Sequence, residues 1–231
     1  MAVDVMTSSI EPAGITEGMP GVVTDLASDK QAFAVPWGKA MMWIFLLSDT
    51  FIFASFLTSY MHVRMTTTDP WPLASEVFSL HVAGHTLPLL LIAIMTFILI
   101  TSSGTMAMAV NFGYRRDRVR TTALLVATAV LGASFVGMQA FEWTKLIVEE
   151  GIRPWGNPLG AAQFGSAFFM ITGFHGAHVS AGVIYLLVTA WRVWSGFYDR
   201  KGTYETVEVA GLYWHFVDLV WVFIFAFFYL W

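Results

Sequence analysis

Residues 87–110 read LPLLLIAIMTFILITSSGTMAMAV, a run without one charged side chain. The hydrocarbon core of a bilayer is about 30 Å thick and takes roughly 20 helical residues to cross. In lipid, a single segment satisfies its own backbone groups only as a helix. Working outward, four more stretches share this character: Trp37–Met61, Thr121–Phe141, Gln163–Trp194 and about Glu208–Trp231. The chain therefore reads as an all-α integral membrane protein, a five-transmembrane-helix bundle. Its spans are expected at about 37–61, 87–110, 121–141, 163–194 and 208–231. The fourth is long enough to tilt and still project beyond the membrane.

Composition agrees. Of 231 residues, 57% are hydrophobic and 12% charged, against about 25% charged in an ordinary soluble domain. Mean hydropathy is +0.65. With 12 Lys and Arg and a net charge of −4, the chain cannot build a basic face for nucleic acid. It has no cysteine, which excludes disulfides, iron–sulfur clusters, thiolate metal centres and covalent c-type haem.

Residues 1–36 differ from the rest and read as a polar mobile N-terminal tail. They hold five acids (Asp4, Glu11, Glu17, Asp25, Asp29) and one base, Lys30. No apolar run follows a basic start, so no cleaved secretory leader is expected. Thr66–Thr86 carries prolines and a Trp and is expected to hold a short interfacial helix. Arg153-Pro154-Trp155-Gly156-Asn157-Pro158 reads as a rigid turn.

Lys and Arg placement sets the orientation. Lys30, Lys39, Arg115, Arg116, Arg118, Arg120, Arg192, Arg200 and Lys201 fall on one side; Arg64, Lys145 and Arg153 fall on the other. Nine against three puts the N-terminus in the cytoplasm. Arg115, Arg116, Arg118 and Arg120 are also candidate contacts for anionic lipid headgroups, beside the plainer reading of a topology signal.

Ionisable groups inside a bilayer are costly and face a partner or a cavity. Asp49, near the middle of the first span, is read as a lipid or proton-exchange carboxyl or as a neutral acid hydrogen-bonded across helices. His175 and His178, three apart on the fourth span, share a face. His215 and Asp218 repeat that spacing on the fifth. Two such pairs could make a four-ligand metal site. The plainer reading is an interhelical polar network between these spans, with Gly173, Gly176 and Gly182 permitting close approach. Glu142, beside Gln139 and Trp143 at the end of the third span, reads as a capping or network residue. The run Trp221–Trp231, ending on Tyr229 and Trp231, reads as an interfacial anchor. No nucleophile stands beside a base, and no loop would cradle phosphate.

The last two spans resemble subunit III of the haem–copper terminal oxidases. The resemblance is carried by Gly165-Ser166-Ala167-Phe168-Phe169, by Thr172-Gly173-Phe174-His175-Gly176-Ala177-His178-Val179, and by Tyr213-Trp214-His215-Phe216-Val217-Asp218-Leu219-Val220-Trp221. Gly137-Met138-Gln139-Ala140-Phe141-Glu142-Trp143 matches a third family helix, and Ser48-Asp49 stands where the mitochondrial-type family has Ser-Glu. The similarity covers about residues 37 to 231.

The resemblance implies an accessory, non-redox subunit of a proton-pumping terminal oxidase, in the short bacterial form that lacks two helices. It implies that subunit I is the main partner, with subunit II beside it and structural phospholipids bound. Haems and copper sit in the partner subunits and no cofactor in this chain. On this reading Asp49 is the lipid-linked carboxyl, and His175, His178, His215, Asp218 and Glu142 are structural. The location is the bacterial cytoplasmic (inner) membrane, and membership of a respiratory supercomplex is open. Glu208-Val209-Ala210-Gly211-Leu212-Tyr213-Trp214-His215 favours the cytochrome c type over the quinol type. The alternatives are a quinol oxidase subunit III, an accessory protein of nitric oxide reductase, and, from another class, an autonomous membrane metalloenzyme.

Overall fold

The computed structural model describes residues 36–82 and 85–230. In chain order these form α1 (Trp37–Thr66), a short α2 (Ala74–Val77), β1 (Ser79–Val82), β2 (His85–Pro88), α3 (Leu90–Tyr114), α4 (Arg118–Val148), α5 (Ala162–Trp194), a short α6 (Phe197–Lys201) and α7 (Glu205–Phe225). The last turn of α7 widens into a π-helix over Ala226–Leu230. Helices α1, α3, α4, α5 and extended α7 are each long and apolar enough to cross a membrane. This is the five-helix membrane fold that the apolar runs dictate.

Several helices outrun their apolar runs. α1 continues to Thr66, and α4 reaches from Arg118 to Val148. A charge ends a hydropathy run but does not end a helix, so Arg64, Arg118, Arg120 and Lys145 all lie on helical turns. The start of α4 is fixed by Asp117, whose side chain accepts from the Arg120 backbone N–H at 3.1 Å. The second span begins later than expected. Pro88 ends β2, and α3 starts only after Leu89, which is held at φ 60°.

The loop after α1 holds the expected short helix and, unexpectedly, an antiparallel hairpin pairing Ser79 with Pro88 and Val82 with His85. The turn at Arg153 is closed by reciprocal Arg153–Gly156 backbone bonds of 2.8 and 3.1 Å.

Four helices close a ring. α3 packs on α4 and α7, and α5 packs on the same two. α1 stands outside the ring and meets it chiefly through side chains: Phe53 on Phe174 (5.2 Å between ring centroids), Phe45 on Tyr213 (6.2 Å) and Tyr60 on Phe228 (4.1 Å). The ring is centred on Trp214, which is fully buried. Its indole lies between two glycines. A Cβ on Gly132 of α4 would meet the indole at 2.4 Å, and one on Gly182 of α5 at 3.0 Å. Of the three glycines expected to admit the fifth span, only Gly182 does so. Gly173 faces Trp143 of α4, and Gly176 faces open space.

Candidate functional site

Among the described residues, three places inside the five spans bring together polar side chains singled out above. The first joins α1 to α5. His178 Nε2 lies 2.9 Å from Asp49 Oδ2, and His178 Nδ1 lies 2.8 Å from the Phe174 carbonyl oxygen. A carbonyl only accepts, so Nδ1 carries a proton. Nε2 is turned towards the Asp49 carboxyl, so the imidazole spans from its own helix turn to α1. The rings of Phe53 and Phe174 enclose the imidazole at 5.5 and 4.7 Å. Tyr213 OH donates to the His178 carbonyl at 2.9 Å, so α7 also grips this turn.

The second place joins α7 to α3 by a ladder of hydrogen bonds. Trp214 Nε1 donates to Ser102 Oγ at 2.9 Å, and Trp221 Nε1 to Thr96 Oγ1 at 3.0 Å. Between them Ser103 Oγ lies 2.6 Å from His215 Nδ1. Ser103 also neighbours Asp218, whose two buried carboxyl oxygens have no other hydrogen-bonding neighbour. His215, Asp218 and Ser103 line a groove of about 240 Å³ between α3 and α7.

The third place lies near one end of the ring. Glu142 accepts from Gln139 Nε2 at 2.9 Å and from Tyr229 OH at 3.3 Å. Glu142, expected at the end of a span, is buried two turns inside α4, and Tyr229 is equally buried. Tyr229 is therefore a core brace, not an interfacial anchor; Trp231 lies outside the described residues.

His175, His178, His215 and Asp218 are thus not brought together as one network. His178 turns to α1 and the His215–Asp218 pair to α3. His175 is buried in the ring between Trp221 (5.4 Å, stacked) and Phe135 (5.8 Å), with neither ring nitrogen hydrogen-bonded. Residues three apart on a helix differ by 60° in direction, enough to point at different neighbours. Among the described residues no three His, Cys, Asp or Glu side chains converge as a metal site.

Arg115, Arg116, Arg118 and Arg120 are all exposed at one end of the bundle. Each also leans on protein. Arg115 and Arg120 lie over the Phe112 ring, and Arg118 over Trp194 at 5.5 Å. Arg116 Nη2 donates to the Gly202 carbonyl at 3.3 Å, and Arg120 Nε lies 3.3 Å from Asp117. At this same end Lys39 pairs with Glu208. Tyr204, just before α7, donates to Asp199; burial, and then this bond, push its hydroxyl up to about 12. Along the other flank, an apolar groove of about 520 Å³ runs between α1 and α7, lined by Phe53, Leu57, Phe216, Val220 and Phe223 among others.

The sequence reading did not single out Thr96, Ser102 and Ser103. Part of the signal was present: Thr96 and Ser103, seven apart in an uncharged run, share a helix face, but Thr101, Ser102 and Thr105 surround them and blur it.

The family model described as Cytochrome c oxidase subunit III matches residues 25–231. A cytochrome c oxidase subunit 3 of Alkalihalophilus pseudofirmus is 33% identical over 193 residues, covering 81% of this chain and 84% of its own. A cytochrome bo(3) ubiquinol oxidase subunit 3 of Pseudomonas aeruginosa is 33% identical over 189 residues, covering 81% and 82%. A cytochrome c oxidase subunit 3 of Rhipicephalus sanguineus is 32% identical over 199 residues, covering 84% of this chain and 70% of its own.

Proposed function

Since the chain belongs to the cytochrome c oxidase subunit III family, we propose that it works as the accessory, non-redox subunit of a proton-pumping terminal oxidase, bound to subunit I in a bacterial cytoplasmic membrane. As a subunit III of a haem–copper oxidase, of cytochrome c or quinol type, it is part of an oxidoreductase complex and a multi-pass membrane protein. Its work in that complex is to hold subunit I, bound phospholipid and the path of proton uptake in place.

One observation carries the accessory reading. Four polar side chains of the quoted motifs join one helix to another: Trp214 to Ser102, Trp221 to Thr96, Tyr213 to His178, and His178 to Asp49. Such a chain acts by shape and rigidity. The apolar groove between α1 and α7, close to Asp49, has the size and lining for an acyl chain, which favours a bound phospholipid. The donor is proposed to be cytochrome c. Quinol is the second reading, favoured by the equal identity of the Pseudomonas ubiquinol oxidase relative.

A mild-detergent pull-down on this chain tests the reading. The expected result is a haem- and copper-bearing partner together with a metal-free copy of this chain. Oxidation of reduced cytochrome c by that complex identifies the donor. Recovery of the chain alone, with a stoichiometric metal, overturns the proposal.

A further inference from the structure

We infer that the α3–α7 groove holding Ser103, His215 and Asp218 is an intramembrane docking point, into which a membrane-spanning helix of the haem-bearing subunit inserts a hydrogen-bond-donating side chain. This rests on reading the chain as an oxidase subunit III.

The groove is incomplete as it stands. Asp218 is more than nine-tenths buried, and its carboxyl oxygens have no hydrogen-bonding neighbour besides Ser103. Its polar neighbour Ser103 has a single proton and already lies 2.6 Å from His215 Nδ1. One hydroxyl cannot satisfy a carboxyl, so at least one oxygen waits for a donor from elsewhere. No Lys or Arg lines the groove.

Depth decides what can supply that donor. Asp218 lies at the middle of the Glu205–Leu230 span, and Ser103 at the middle of α3. At about 1.5 Å per residue each is roughly 16–20 Å from either end of its helix. Lipid headgroups do not reach there, and acyl chains have no donor. The rim is built for a membrane setting: Ile100, Leu219 and Val222 are 58%, 55% and 44% exposed. A volume of about 240 Å³ admits one side chain but not a helix, so the partner helix lies across the rim and sends a residue inward. Ser, Thr, Tyr, Trp, Asn, His or Arg would meet the chemistry.

The other grooves do not make this demand. Thr50, in the α1–α7 groove, already bonds the Leu46 carbonyl at 2.8 Å. The α4–α5 groove offers the Gln139 amide oxygen and the Trp143 N–H. Those are neutral groups. A carboxyl in hydrocarbon costs more to leave unpaired than an amide.

The test uses the intact complex. A photo-crosslinking residue is placed at Ile100 or Val222 on the rim, and at Ile184, which faces outward from α5. Rim positions are expected to crosslink to the haem-bearing subunit and Ile184 to lipid. Rim positions that capture only lipid in an intact complex overturn the inference and leave the proposed function standing. A chain that brings no haem-bearing partner overturns both. In parallel, Asp218→Leu removes the acceptor and Asp218→Asn keeps one. Asp218→Leu should lower retention of this chain on the complex by at least about tenfold, with Asp218→Asn retained. Thermal melts of the isolated variants show whether either has lost its own fold, and the crosslinks stand independently of both. Equal retention of a folded Asp218→Leu chain overturns the inference.

Discussion

His178 stands between Phe174 and Asp49, one ring nitrogen 2.8 Å from a carbonyl and the other 2.9 Å from a carboxyl oxygen. That geometry seats the imidazole against its own helix turn on one side and against α1 on the other. It also makes Asp49 the main polar link between α1 and the ring at mid-membrane depth.

Asp49→Asn should therefore be tolerated, because its amide keeps a polar group of the same shape opposite Nε2. Asp49→Leu leaves that nitrogen without a partner and should cost ~1–3 kcal/mol. The check is a thermal melt in detergent, followed by protease sensitivity of α1. If Asn and Leu variants lose the same stability, the polar contact contributes nothing to holding α1.

Trp214 has no slack. Gly132→Ala places a methyl at 2.4 Å from its indole, and the ring cannot retreat because Gly182 backs it. The expected loss is ~1–3 kcal/mol from overpacking, with a change in tryptophan fluorescence. Gly137, whose added Cβ would meet nothing within 4 Å, is the control; Gly137→Ala should be neutral or slightly stabilising through helix propensity.

How much of this was legible beforehand differs by level. The five spans follow from apolar runs, because lipid demands one conformation. The hairpin at Ser79–Pro88 was not legible: two four-residue strands are too short to show a period. The polar residues were visible one by one, but their partners were not. Spacing put His175 and His178 on one face, while packing sent one into the ring and the other to α1. A sequence gives the angle between two side chains on a helix; it does not say which neighbour stands at that angle.

Glu142 and Tyr229 bring the third place its own test. Tyr229→Phe removes one donor to Glu142 and leaves Gln139, so the loss should be about 1 kcal/mol. Glu142→Leu leaves both Gln139 and Tyr229 unpaired and should cost more. A double-mutant cycle should show coupling, with the two losses summing to more than the double variant loses. Strict additivity would count against the contact.

Tyr204 supplies the pH dependence. Its hydroxyl ionises at about 12 in the folded chain, against about 10 when exposed. Below about pH 10 both folded and unfolded chains keep the proton. Above it the unfolded chain loses the proton first, so this stabilisation is lost as pH rises towards 12. A phenolate absorbance titration, taken as the difference between wild type and Tyr204→Phe, should show no ionisation until well above pH 10. An earlier onset would place Tyr204 in free solution.

The orientation proposed from charge is directly accessible, because the chain has no cysteine of its own. Single cysteines at Thr203 and Trp155, both exposed and at opposite ends of the bundle, report the two faces. A membrane-impermeant maleimide added to intact cells should label Trp155→Cys and spare Thr203→Cys. The reverse pattern would invert the topology.

The side-chain mooring of α1 has a consequence for biosynthesis. The surfaces it docks on are Phe174 and His178 of α5, Tyr213 of α7, and Phe228 of the π-turn. All of them are translated long after α1 itself. α1 therefore has no docking surface in the ring until α5 is made, and its full seat is completed only with α7. Any failure late in synthesis would strand the earliest segment, and quality control that recognises an unpaired Asp49 in the bilayer would sense a missing C-terminal end.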